Sequence, residues 1–124
     1  MTDFELNNVL YGILKDLGAP PSLAGFDYTL YAVKLLYYAA DKPEITKIVY
    51  PMIAKRFDST PARVERSLRT FVQAIIYRGD IRTIQRVFGN IFNDRSGTIT
   101  NKDFLYGLRY ELLYREALLK KGEV

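Results

Sequence analysis

Two guanidinium groups and a carboxylate fall within four residues of one another in Arg63-Val64-Glu65-Arg66. A guanidinium offers a planar fork of donors that fits O6 and N7 of guanine, and a carboxylate accepts from N4 of cytosine. Placed in the first turns of the second helix of a helix-turn-helix, such side chains reach base edges. The same residues also have a plainer reading, a solvated helix face on which Glu65 and Arg69 form an i,i+4 pair contributing roughly 0.2–0.5 kcal/mol. Lys47, Lys55, Arg56 and Arg69 are candidates for phosphate contacts, which fix register and make affinity salt-dependent.

Other chemistries find little support. The chain has no Cys and no His, which removes thiolate zinc sites, thiol nucleophiles and the commonest general base. Asp27, Glu44 and Asp80 form no close pair suited to acid–base work. The stretch from Asp94 to Phe104, DRSGTITNKDF, resembles a calcium loop when Gly97 is set at the loop glycine. That alignment puts Phe92 at the first ligand position and Asp103 where a bidentate Glu belongs, so calcium binding is not expected. The chain has ten tyrosines, and most fall at helical spacing in the second helix or near the C-terminus, which suits packing better than base stacking. No enzymatic activity, cofactor or metal is expected.

The elements that must position Arg63 and Arg66 are legible around them. Thr60 suits an N-cap and Pro61 the first turn, where no N–H partner is needed. Val64, Leu68, Phe71, Val72, Ile75 and Ile76 then make one apolar face. Arg63, Arg66, Thr70 and Gln73 point away from it, with Arg69 nearer the flank and Glu65 nearer the apolar side. This helix is expected over about 60–78, ending near Arg78-Gly79. Upstream, Ile45 to Phe57 carries Pro51 in its middle, which predicts a helical turn and then a helix starting at Pro51. Asp58-Ser59 makes the turn between the two helices.

Elsewhere, Thr2 or Asp3 can cap a first helix with apolar positions Phe4, Val9, Leu10, Ile13, Leu14 and Leu17, stopped by Gly18. A second, Tyr- and Leu-rich helix is expected over about 26–40, apolar on more than one side and therefore central. Asp80 suits the cap of a short helix through Phe88, stopped by Gly89-Asn90. Asn93 to Gly97 reads as a polar loop, and Thr100 as the cap of a last helix to about Leu119. The end, Lys120 to Val124, is expected to fray. The fold expected is all-α, a compact bundle of about six helices containing a helix-turn-helix.

These residues also carry a family resemblance. The stretch from Ile45 to Gly79 resembles the DNA-binding effector domain of the stage-zero sporulation protein A family, whose pattern is close to ITKxLYPxIAKKYxTTxxRVERAIRxAI. The matching positions are Ile45-Thr46-Lys47, Tyr50-Pro51, Ile53-Ala54-Lys55, Thr60, Arg63-Val64-Glu65-Arg66, Arg69 and Arg78-Gly79. Leu17-Gly18, Pro20, Gly25 and Tyr28 are similar to the family's IGIPxxIKGYxYL, Val87-Phe88-Gly89 to its LFG, and Thr100-Asn101 with Phe104 to its PTNSEF. The likeness runs from about Val9 to Leu113. It implies that Arg63, Glu65 and Arg66 read bases within a box of the form TGTCGAA. It also implies paired domains on tandem boxes and a contact with RNA polymerase near Asp80 to Gly89.

The departures bear on what transfers. Thr70, Phe71, Gln73 and Ile76 stand where the family tends to His, Ala, Glu and Trp. Met1 lies only a few residues before the first effector helix, so the receiver that the family joins to this domain is expected to be missing. A stand-alone protein and a shortened chain both fit.

A net charge of +4 over 124 residues, with 48% apolar residues, suits one folded domain over 1–124 with an anionic partner. No signal peptide and no membrane-spanning run is seen, so a cytoplasmic location is expected. The reading is a sequence-specific duplex-DNA-binding transcription regulator. Its rival is a protein-interaction module or antagonist that keeps the scaffold without specific DNA binding, and Arg66→Ala separates the two.

Overall fold

Six α-helices and one π-helical turn make up the regular structure of the computed structural model, which describes residues 1–89 and 97–122. Among the described residues there is no β-strand, and no helix is long and apolar enough to cross a membrane.

The first helix, α1 (Asp3–Leu17), starts at a capping box: Thr2 Oγ1 accepts from the Glu5 N–H at 3.2 Å, and the Glu5 carboxylate accepts from the Thr2 N–H at 3.0 Å. It stops at Gly18, whose φ of 78° is left-handed. Leu6, Leu10, Ile13, Leu14 and Leu17 form its buried stripe. Phe4, expected on that stripe, is instead 75% exposed. It sits two residues from Leu6, on the other side of the helix.

The second helix, α2 (Ala24–Tyr38), begins and ends two residues earlier than the sequence suggests. Leu23 at its N-cap makes no side-chain hydrogen bond, so no local signal marks the start. As expected, α2 is central and packs against α1, α3 (Tyr50–Arg56), α4 (Pro61–Arg78) and α6 (Asn101–Lys120). Gly25 lies so close to α4 that a Cβ there would sit 2.3 Å from Phe71 Cβ. A bare backbone at this point is what lets the two helices approach.

The π-helical turn (Ile45–Val49) runs without a break into α3 (Tyr50–Arg56). The N–H groups of Val49 and Tyr50 reach five residues back, to the carbonyls of Glu44 and Ile45. Pro51 supplies no N–H and its ring crowds the preceding turn. The wider winding gives that ring room, so the helical turn and the helix expected at Pro51 become one rod. Asp58, at φ 52°, ends it in the left-handed conformation while the Ser59 N–H bonds the Ala54 carbonyl at 2.8 Å.

After this turn come α4 (Pro61–Arg78), α5 (Ile81–Phe88) and α6 (Asn101–Lys120). Thr60, Asp80 and Thr100 cap them, each accepting from the backbone N–H three residues on. Hydrogen bonds from Thr83 hold the Asp80 carboxyl below the usual carboxylate range. At the corner between α4 and α5, the Asp80 N–H bonds the Leu17 carbonyl at 3.1 Å, fixing the end of α1 against it. The stop at Asn90, most of the polar loop before Gly97 and the final Glu123-Val124 lie outside the described residues.

An aromatic column ties the helices together. Tyr11 and Phe26, Phe26 and Phe71, and Phe71 and Phe104 meet edge to face with centroids 5.8, 6.0 and 6.0 Å apart, and Phe88 stacks on Phe104 at 5.5 Å. Each such pair contributes about 0.5–1.5 kcal/mol beyond its area burial. Glu116 on α6 accepts from the Met1 amino nitrogen at 2.7 Å and from the Tyr37 hydroxyl. Burial and this carboxylate push the Tyr37 phenol up to about 12.

Candidate nucleic-acid interface

The outward face of α4 is set at its first residue. Thr60 is extended (φ −123°, ψ 154°) and its hydroxyl accepts from the Arg63 N–H at 3.3 Å, with Pro61 opening the helix. Val64, Leu68, Phe71, Val72 and Ile75 are buried, whereas Arg63, Arg66, Arg69, Thr70 and Gln73 are exposed. Helix phase therefore directs Arg63 and Arg66 to solvent from the first two turns, on the side opposite the core.

The charged groups on this face differ in their partners. Glu65 Oε1 accepts from Arg69 Nη1 at 2.9 Å, with side chains 37% and 56% exposed. So open an ion pair adds little stability. The second carboxylate oxygen of Glu65 has no partner among the described residues. Arg63 and Arg66 form no ion pair with any described carboxylate.

Lys55 and Arg56 are exposed in the last turn of α3, and Lys47 is exposed in the π-helical turn. The Arg56 guanidinium lies over the Phe57 ring at 5.2 Å to its centroid. These three sit on the elements just before the turn into α4, and α3 packs directly on α4. Arg69, the fourth phosphate candidate, is the one already held by a carboxylate.

An open groove of about 670 Å³ runs along one flank of α4, walled by Glu65, Arg69 and Gln73, by Thr46 and Tyr50, and by Thr98 to Lys102. At its floor, Asn101 Nδ2 donates to the Tyr50 hydroxyl and to the Glu65 backbone carbonyl, both at 3.0 Å. Burial, with a smaller contribution from the Glu65 charge, raises the Tyr50 phenol. In the sequence Asn101 is visible only as part of the Thr100-Asn101 match. One physical hint was present: Thr100 alone suffices as the cap of α6, so a polar residue directly after it is free to reach elsewhere.

The family model described as "Sporulation initiation factor Spo0A C terminal" matches residues 10–112 of the chain. The chain belongs to this family. It is the DNA-binding domain of a transcription factor rather than an enzyme family, and the chain is accordingly a DNA-binding regulator of the sporulation class.

The Spo0A C-terminal match starts in α1 and ends in α6, within about a residue at each end of the likeness from Val9 to Leu113. It takes in the π-helical turn, α3, α4 and Asn101. Of the positions in the calcium-loop alignment, only the later ones fall among the described residues. Asp103 lies in the first turn of α6 with its N–H on Thr100 Oγ1 at 3.1 Å, while Phe92, Asp94 and Ser96 lie outside the described residues, as does Arg95. Tyr50 and Tyr106 are buried, whereas Tyr11, Tyr38, Tyr77, Tyr110 and Tyr114 are exposed. The tyrosines thus serve the surface as well as the core.

Proposed function

We propose that this domain, folding as one unit over 1–124, reads base edges in the major groove of duplex DNA through the first turns of α4. Arg63 and Arg66 act as forks on guanine, and Glu65 accepts from a cytosine amino group through the oxygen that Arg69 leaves open. Lys47, Lys55, Arg56 and Arg69 hold backbone phosphates and fix the register. The observation that carries the reading is the contrast within α4. Arg69 shares its charge with Glu65 in an open ion pair, while Arg63 and Arg66 stand exposed without a carboxylate partner among the described residues.

Two further parts of the reading concern partners. The corner where Tyr77 is 87% exposed and Ile81 49% exposed, beside Arg78, Arg82 and Arg86, suits the contact with RNA polymerase that the resemblance implies. Pairing of two copies on tandem boxes follows from the same resemblance.

The test is binding to a duplex carrying TGTCGAA and to a scrambled duplex over a range of salt. Base readout gives a preference on the order of 10³-fold, with affinity falling steeply as salt rises. Equal affinity for the two duplexes, together with no enrichment of any sequence from random DNA, overturns it.

A further inference from the structure

We infer that Asn101 is a positioning residue for base readout, tying the start of α3 to the first turns of α4 through one side-chain amide. The inference rests on the proposed reading of α4. A carboxamide nitrogen carries two N–H groups, and here each has its own acceptor at 3.0 Å: the Tyr50 hydroxyl on α3 and the Glu65 carbonyl on α4. The orientation of the amide is fixed by its partners, because a backbone carbonyl only accepts, so the nitrogen must face it.

Three observations give the clamp its reach. Glu65 lies between Arg63 and Arg66 in the chain, so its carbonyl belongs to the same turn that carries both guanidiniums. Tyr50 is only 6% exposed, which makes it a fixed anchor. Asn101 is the first residue of α6, and it approaches α4 from the side of the groove, away from the core contacts of Val64 and Leu68. Removing it leaves those apolar contacts in place and frees only the tilt and register of the first turns. A recognition constellation tolerates displacements of about 0.5 Å before its geometry degrades. Base-edge hydrogen bonds need that accuracy, and sequence-independent attraction to phosphates does not.

The experiment compares the wild-type chain with Asn101→Ala and Tyr50→Phe, each first shown to be folded by circular dichroism. Affinities for the TGTCGAA duplex and the scrambled duplex are measured in parallel, with amide hydrogen exchange of residues 62–66 in the free protein. Asn101→Ala is expected to lower the preference between duplexes about tenfold, with scrambled-duplex affinity within about twofold of wild type and faster exchange in the first turns of α4. Tyr50→Phe, which removes one of the two bonds, is expected to give a smaller loss of the same kind. A folded Asn101→Ala protein that keeps the wild-type preference overturns the positioning role alone. Should Asn101→Ala not fold, an unchanged preference in Tyr50→Phe does the same. A wild-type chain with equal affinity for the two duplexes and no sequence enriched from random DNA overturns the base-reading proposal and the positioning role with it.

Discussion

Helices α2 and α4 lie against each other and are held in opposite ways. α2 has no side-chain cap at its start and is enclosed by four other helices, so surrounding packing fixes where it lies. α4 has a cap at Thr60, a proline in its first turn and a stop at Gly79, and it leaves one face bare. A buried helix can take its limits from its neighbours. A helix that meets a partner through its first turns needs those turns to begin at a defined residue, and local hydrogen bonds provide that. On the proposed reading the bare face of α4 is the one that meets DNA, and the enclosed α2 is the support it rests on.

Breaking the shared face has the largest expected effect. Phe71 is fully buried, touches Gly25 of α2 and lies between Phe26 and Phe104 in the aromatic column. Phe71→Ala is expected to cost about 3–5 kcal/mol in chemical denaturation, enough to remove much of the domain's stability. A loss below about 1 kcal/mol would mean that the column does not hold the two helices together.

Removing the cap tests the other half of the contrast. Thr60→Ala is expected to cost about 1 kcal/mol and to loosen mainly the first turn of α4, read by hydrogen exchange at residues 61–64. An equal loosening of α2 would argue that the cap has no local role. The smallest effect belongs to α2 itself. The Thr29 hydroxyl is fully buried and has no hydrogen-bond partner among the described residues. Thr29→Val keeps the shape and removes the stranded hydroxyl, so thermal denaturation should show a gain of up to about 1 kcal/mol. A loss would point to a partner for that hydroxyl, such as ordered water.

The same contrast governs what the sequence reveals. The limits of α4 are legible because Thr60, Pro61 and Gly79 act within one turn of themselves, and α1 is legible through Thr2, Glu5 and Gly18 for the same reason. The start of α2 is read two residues late because Leu23 gives no signal and the helix is fixed by packing. Phe4 is apolar but out of helical phase with Leu6, Leu10 and Ile13, so composition suggests a burial that the helix does not give it. Pro51 marks a disturbance, but its absorption by a π-helical turn depends on backbone winding that composition does not encode.

Within the candidate interface, the Glu65–Arg69 pair is legible as an i,i+4 spacing. The Asn101 clamp is not, since its partners lie 51 and 36 residues away in the chain. Long-range hydrogen bonds of this kind depend on the finished fold and leave only a faint compositional trace.

The most direct measurement of base readout sets wild type and Arg66→Ala against a panel of duplexes in which each base pair of TGTCGAA is replaced in turn. A side chain that reads a base edge predicts an Arg66→Ala protein that is folded, weaker by about 1–3 kcal/mol on the intact box, and indifferent to replacement at one or two positions while still discriminating at the others. A uniform loss across every duplex, with the pattern of discrimination unchanged, would make Arg66 a phosphate contact and contradict base reading by the first turns of α4.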